Sequence, residues 1–213
     1  MLAFLLNLFY PPKCPGCGRL VSVHGQWCDA CLLRVWHPRL LNRPASLRYL
    51  DGCYALTDYH GSARRILHDL KYRGKESRAA SCQYFLARFP WQERLQAVDF
   101  VVPVPLSPEK KEKRGYNQVD LIFQPWAEKH WSWQDILQRR RLTQSQWQLK
   151  REERKQNVRH AFSVQPGIDV AGKHILLVDD IFTTGATLEA CAQALKQKKA
   201  ASVTGLVIAS GAP

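Results

Sequence analysis

The sequence predicts an α/β domain, an open and mostly parallel β-sheet flanked by helices, preceded by a small metal-binding module. Three observations lead there. Short apolar runs alternate with stretches of helical periodicity from about residue 52 onward, which is the pattern of strands joined by helical crossovers. The run beginning at Ile175 passes without a spacer into ILLVDDIFTTGAT, residues 175–187, which reads as strand, loop and helix start. Near the N-terminus, two CxxC pairs stand ten residues apart.

Length and composition set the bounds. A chain of 213 residues suffices for one well-cored domain and an appendage, with 46% hydrophobic and 23% charged residues, as in ordinary globular proteins. Charge is less ordinary. The 31 Lys and Arg against 18 Asp and Glu leave a net charge of +13, a field that attracts phosphates, nucleotides or nucleic acid without choosing among them. The opening MLAFLLNLF is apolar but lacks a basic leader and a small-residue cleavage site, so it reads as a short amphipathic helix docking on the domain, with a peripheral membrane or partner contact as the alternative. No stretch reaches the roughly 20 apolar residues of a transmembrane helix.

Cys14 and Cys17, then Cys28 and Cys31, supply the four sulfurs that Zn²⁺ takes in tetrahedral array. Gly16 and Gly18 allow the tight reversals that aim backbone N–H groups at sulfur. A four-thiolate shell leaves no place for water, so the expected role is structural. Unligated or redox cysteines are the competing reading, and His24 is a spare ligand. Leu32 to Pro44, including HPRLLNRP, reads as a linker. The expected division is therefore 1–44, apolar helix, zinc module and linker, and 45–213, the α/β domain. Cys53, Cys82 and Cys191 have no neighbouring ligand and read as buried apolar residues.

Within the domain, CYALTDY reads as a strand, followed by a helix capped by Ser62 with Ile66, Leu67 and Leu70 on one face. A second helix is expected over Arg78 to Phe89. FVVPVP, from Phe100, reads as a buried strand ended by prolines, then a charged segment EKKEKRGYNQ and a helix from about Gln118 to His130. Leu142 to Phe162 is polar and reads as an excursion. Gly172 to Asp180 is the most evident strand, Thr187 to Lys198 a helix, and Ser202 to Ile208 a last strand. The seven tryptophans suit core or interface packing, with stacking on single-stranded bases as the alternative.

The chemistry concentrates at the end of the strand from Gly172. Asp179 and Asp180 can accept hydrogen bonds from the vicinal hydroxyls of a ribose. Thr183, Thr184, Gly185, Ala186 and Thr187 wrap the next helix start, where free N–H groups favour a phosphate. Diol at one end and phosphate at the other fit a ribose 5-phosphate such as that of 5-phosphoribosyl-1-pyrophosphate (PRPP). A Walker B strand would need a GxxxxGK[ST] loop, which the chain lacks.

ILLVDDIFTTGAT resembles the PRPP-binding motif of type I phosphoribosyltransferases. Together with CPGCG and its second CxxC, LKYRGK at 70–75, VVPVPLSPEKKEKRGYNQ at 101–118 and RKQNVRHAF, it resembles the ComF family, including the GntX branch, over nearly the whole chain. That resemblance implies a type I phosphoribosyltransferase-like fold behind a zinc finger, in a family linked to DNA uptake, natural transformation or use of external DNA. It also implies a pyrophosphate loop at Pro103 to Ser107, including Pro105 and Leu106, and a hood over the site at Gln144 to Phe162. Lys71, Arg73 and Arg114 are then candidates for countering pyrophosphate charge, with Mg²⁺ accompanying PRPP. Ser107 and Phe182 depart from the family pattern, where His and Tyr are common. The expected partners are PRPP or another ribose phosphate, single-stranded DNA and DNA-uptake proteins, in the cytoplasm or at the inner face of its membrane. The alternative is an active phosphoribosyltransferase of nucleotide metabolism or salvage, for which the sequence offers no identifiable catalytic base.

Overall fold

The structure is a computed structural model that describes residues 9–41, 47–139 and 161–211. The apolar start up to residue 8, residues 42–46 at the end of the predicted linker and start of the predicted domain, and the hood segment 144–160 with Trp147 lie outside the described residues.

Its elements run in the order α1 (Asp29–Val35), β1 (Trp36–Leu40), β2 (Gly52–Asp58), α2 (Gly61–Tyr72), α3 (Ala79–Leu86), β3 (Phe100–Pro103), α4 (Pro108–Arg114), α5 (Gln118–Ala127), β4 (Ser132–Trp133), β5 (Leu137–Arg139), β6 (Phe162–Val164), β7 (His174–Phe182), α6 (Ala186–Gln197) and β8 (Ser202–Ser210). Six strands form one sheet in the order β1-β2-β8-β7-β3-β4, parallel throughout except for β1, which runs antiparallel to β2. β5 and β6 pair antiparallel in a separate ribbon. The open, mostly parallel sheet is thus the predicted one.

β7 explains the architecture best. Its Ile175 to Val178 are all buried, as expected of a parallel strand covered on both faces. Because successive strand residues point to opposite sides, Ile175 and Leu177 enter one core cluster with Leu188, Cys191 and Leu195 of α6. Leu176 and Val178 enter the other, with Ile66, Leu67 and Leu70 of α2, Phe85 of α3 and Ile122 and Phe123 of α5. Cys53, Cys82 and Cys191 are buried in these cores, as expected.

Several elements differ from expectation for local reasons. Trp36–Leu40, inside the predicted linker, is an edge strand; Pro38 is tolerated there because the ladder lacks one neighbour. Ser62 lies within α2, whose N-cap position is His60. PEKKEKR is a helix with Pro at its first position and Gly115 in the left-handed conformation (φ 79°) closing it, although it buries no residue.

The four-cysteine module docks on the α2/α3 side. Trp27 is fully buried, packs with its ring tilted 35° to Phe85 at 5.1 Å between centroids, and donates its indole N–H to the Ser81 carbonyl at 3.0 Å. Gly25 (φ 85°) lets the module's backbone meet α3; a Cβ there would lie 2.7 Å from Ala80 backbone. Arg65 of α2 donates to the carbonyls of Pro15 and Gly16, both at 2.9 Å. Among the described tryptophans none is exposed, and Trp126, Trp131 and Trp91 join Tyr54 and Phe89 in an aromatic chain, so packing is their role. Trp27→Ala is expected to lower unfolding free energy by about 3–5 kcal/mol in denaturant titration of the zinc-loaded chain. A loss below about 1 kcal/mol would mean that the module adds little to the common core.

Candidate ribose-phosphate cleft and zinc module

In a parallel α/β sheet, ligands sit beyond the carboxyl ends of the strands. A cleft of about 280 Å³ lies there, bounded by the ends of β7, β3 and α2. Asp179, Asp180, Thr183, Thr187, Lys71, Arg114, Pro105 and Leu106 all line it. Sequence reading named every one of these. It did not single out Gln118, Lys110, Arg139, Tyr59 or Tyr72, which complete the wall.

Asp179 and Asp180 sit in very different surroundings although adjacent. The strand pleat sends Asp180 toward α2 and α5, where it is 2% exposed. Its Oδ1 meets Lys71 Nζ at 2.8 Å, and its Oδ2 accepts from Gln118 Nε2 at 2.7 Å. Asp179 is only partly buried and accepts the Asp180 backbone N–H at 2.8 Å. Desolvation, then the neighbouring Asp180 charge, push its carboxyl up to about 8 against the pull of Lys71.

The turn after β7 depends on its glycine. Gly185 is left-handed (φ 76°) and heads α6; a Cβ would fall 2.6 Å from the Phe182 ring and 2.8 Å from Leu47. Thr184 Oγ1 accepts the Ala186 N–H at 3.4 Å, which shapes the turn. Glu189, one turn into α6, accepts the backbone N–H groups of Arg48, Tyr49 and Leu50, and so pins Leu47 against Gly185. Nothing in the local sequence around 48–50 advertised this clamp.

RGYNQ assembles the opposite wall. Arg114 donates to Gln118 Oε1, and Gly115 ends α4. Tyr116 donates its hydroxyl to the Leu70 carbonyl, tying this turn to the residue before Lys71. Asn117 caps α5 through Val119 N–H at 3.2 Å and reaches the Val104 carbonyl at 3.5 Å. Arg73 is not brought to the cleft. It pairs with buried Asp69 at 3.1 Å, beside Lys75 at 3.2 Å and Arg78 at 3.7 Å. Burial alone would raise the Asp69 carboxyl, but these three cations hold it below the usual range. Ser107 does not line the cleft either; its carbonyl accepts the Lys110 and Lys111 N–H groups that start α4. A second recess of about 320 Å³ adjoins the cleft, lined by Lys71, Tyr72, Gly74, Lys110, Lys113 and Arg114, with no acidic residue.

In the zinc module, the sulfurs of Cys14, Cys17, Cys28 and Cys31 lie within 4.8 Å of one another. Cys17 and Cys28 are 3.7 Å apart, close to the ~3.8 Å between sulfurs at tetrahedral vertices about 2.3 Å from Zn²⁺. Burial raises Cys14, but backbone N–H groups of Cys28, Cys17 and Gly16 outweigh it and hold its thiol down to about 6. Burial and the neighbouring sulfurs push Cys31 up to about 12, a crowding of thiols that a dication relieves. The donor set fits a structural Zn²⁺, and all four positions are taken by protein.

The comparisons agree with this geometry. The chain matches the family described as phosphoribosyl transferase domain over residues 135–212 and the double zinc ribbon domain over residues 5–43. It is 34% identical to DNA utilization protein YhgH of Salmonella typhi, over 89% of this chain and 86% of that one. It is 31% identical to competence protein ComFC of Bacillus subtilis (strain 168), over 92% and 76%. It is 26% identical to competence protein F of Haemophilus influenzae, over 87% and 79%.

Two outcomes are expected. Metal analysis of purified protein should give about one zinc per chain, lost in Cys14→Ser with Cys28→Ser; full-length folded protein without zinc would contradict the module. An unfolded aspartate releases its proton near pH 3.9, whereas folded Asp179 keeps it to about 8. The folded chain therefore binds more protons between those values, and this group makes stability fall as pH rises through them. Asp179→Asn should gain stability relative to wild type progressively as pH rises from about 4 to about 8, with little difference at the acid end, measured by denaturant titration. A constant difference would refute the burial of that charge.

Proposed function

Because this chain belongs to the ComF family of DNA-utilisation and competence proteins, we propose that it serves the uptake or use of external DNA and that its cleft binds PRPP or a related ribose phosphate. The observation that carries this reading is the convergence of three chemistries in one cleft. Carboxylates at the end of β7 suit a ribose diol, the α6 start with Thr183 and Thr187 suits a 5-phosphate, and the wall bearing Lys71, Lys110 and Arg114 suits a diphosphate.

Electrostatics support the same assignment. Asp180 is matched by Lys71, and Asp179 favours its neutral form, so Lys110, Arg114 and Arg139 set the field of the cleft. That field is positive and attracts phosphate. Mg²⁺ bound with PRPP would screen the diphosphate, and its charge would draw Asp179 toward the ionised form that accepts from the diol. The chain's own residues orient the sugar and neutralise its phosphates; binding alone meets the proposal, whether or not a bond is broken.

The net charge of +13 and the acid-free recess beside the cleft support contact with single-stranded DNA. No described helix is long and apolar enough to cross a membrane. Phe9 and Tyr10, at 76% and 74% exposure, follow the apolar start of the chain and support work in the cytoplasm beside the inner membrane face.

PRPP with Mg²⁺ at a hundred times its Kd should stabilise the zinc-loaded protein by about 2.7 kcal/mol in thermal denaturation, and Asp179→Asn with Asp180→Asn should remove the gain. No shift in wild type would contradict the ribose-phosphate reading. Single-stranded DNA should bind with affinity that falls steeply as salt rises, even in that double variant. Weak binding indifferent to salt would sink the DNA contact.

A further inference from the structure

We infer that the two adjacent acids have separate tasks: Asp179 receives the ribose diol, while Asp180 is a positioning residue that holds Lys71, and through Gln118 also Arg114, against the diphosphate end of the ligand. This rests on the ribose-phosphate reading of the cleft and divides its labour.

The strand itself imposes the separation. Residues 174–182 are one continuous strand, so neighbouring side chains leave it on opposite faces. Asp180 follows Val178 into the core shared with α2 and α5, and Asp179 follows Leu177 toward α6. Both Asp180 oxygens are already engaged, one by Lys71 at 2.8 Å and one by Gln118 at 2.7 Å, at 3% side-chain exposure. A sugar hydroxyl would have to displace a buried ion pair to reach them, leaving a cation or carboxylate without its partner. Asp179 accepts the Asp180 N–H and its carboxyl lies beside that of Asp180, but it carries no cation of its own at ion-pair distance among the described residues, and the side chain lines the cleft.

The partners of Asp180 point to what it does. Gln118 donates with its amide nitrogen to Asp180 and accepts with its oxygen from Arg114, so one carboxylate fixes two cations in a relay. Lys71 and Arg114 line both the cleft and the acid-free recess beside it, which places them on the shared wall. Lys71 has 19% side-chain exposure, enough to offer its other N–H donors to a ligand while Asp180 fixes its direction. Arg73, two residues on, has its own buried carboxylate in Asp69, so the two cations of LKYR are sorted by which acid each one meets. Tyr116 fastens the Leu70 carbonyl next to Lys71, which leaves the ammonium little room to drift.

The test compares PRPP with ribose 5-phosphate by calorimetry on the zinc-loaded full chain, because the two ligands differ only in the diphosphate. Asp180→Asn should weaken PRPP about tenfold to a hundredfold and ribose 5-phosphate less than about threefold. Lys71→Met should do the same, and Asp180→Asn with Lys71→Met should be no worse than either alone. Asp179→Asn should weaken both ligands alike. Equal losses for both ligands in Asp180→Asn, or additive losses in the double variant, would overturn the division of labour. If Asp180→Asn does not fold, Lys71→Met still reads the ratio, and an unchanged ratio there overturns the proposal. Wild type binding neither ligand would overturn the cleft reading itself.

Discussion

Everything at the functional end of this molecule depends on one buried carboxylate. Asp180 is carried to the edge of the core by a strand buried on both faces over Ile175 to Val178, and a charge in that position is costly unless it is paired and hydrogen-bonded. Lys71 from the end of α2 and Gln118 from the start of α5 meet that demand. Two helices that approach the same face of the sheet are thereby brought to a common point, and the cleft between them acquires its basic wall. The constraint works in both directions, since the ion pair shapes the site and, among the described residues, the site is where β7 carries its ion pair.

Around this point, smaller devices remove freedom from each wall. Asn117 caps α5 and reaches back to the strand that precedes it, Tyr116 grips the end of α2, and Glu189 holds three successive backbone N–H groups over the start of α6. None of these groups need touch a ligand. Their shared effect is preorganisation, which would let the phosphate and diol of the proposed ligand meet groups already in place rather than order them on binding. The zinc module contributes at a distance, because Trp27 packs on Phe85 of α3, which shares a core cluster with α2, the helix from which Lys71 projects.

Much of this was legible in the sequence where a residue's neighbours along the chain decide its fate. β7, α6 and the cysteine cluster follow from apolar runs, helix-start chemistry and CxxC spacing. PEKKEKR was harder, since it buries nothing and shows no apolar period; only its Pro start and Gly stop marked a helix. WHPRL carries a proline that argues against a strand, and the edge position that excuses it is a tertiary fact. Lys71 and Arg73 look equivalent in LKYR, and the distinction lies in partners: Asp69 stands one helical turn before Arg73, whereas Asp180 stands more than a hundred residues from Lys71. Gln118 and the Glu189 clamp were invisible for the same reason. The contacts that decide them, Gln118 with Asp180 and Glu189 with the backbone of 48–50, span long sequence separations.

The most direct test is a crystal structure of the zinc-loaded protein with ribose 5-phosphate bound. The account predicts the phosphate on the N–H groups of the turn from Thr183 to Thr187, the diol on Asp179, and the Lys71–Asp180 pair intact beside it. Phosphate bound only in the neighbouring basic recess, or a sugar hydroxyl replacing Lys71 on Asp180, would contradict it.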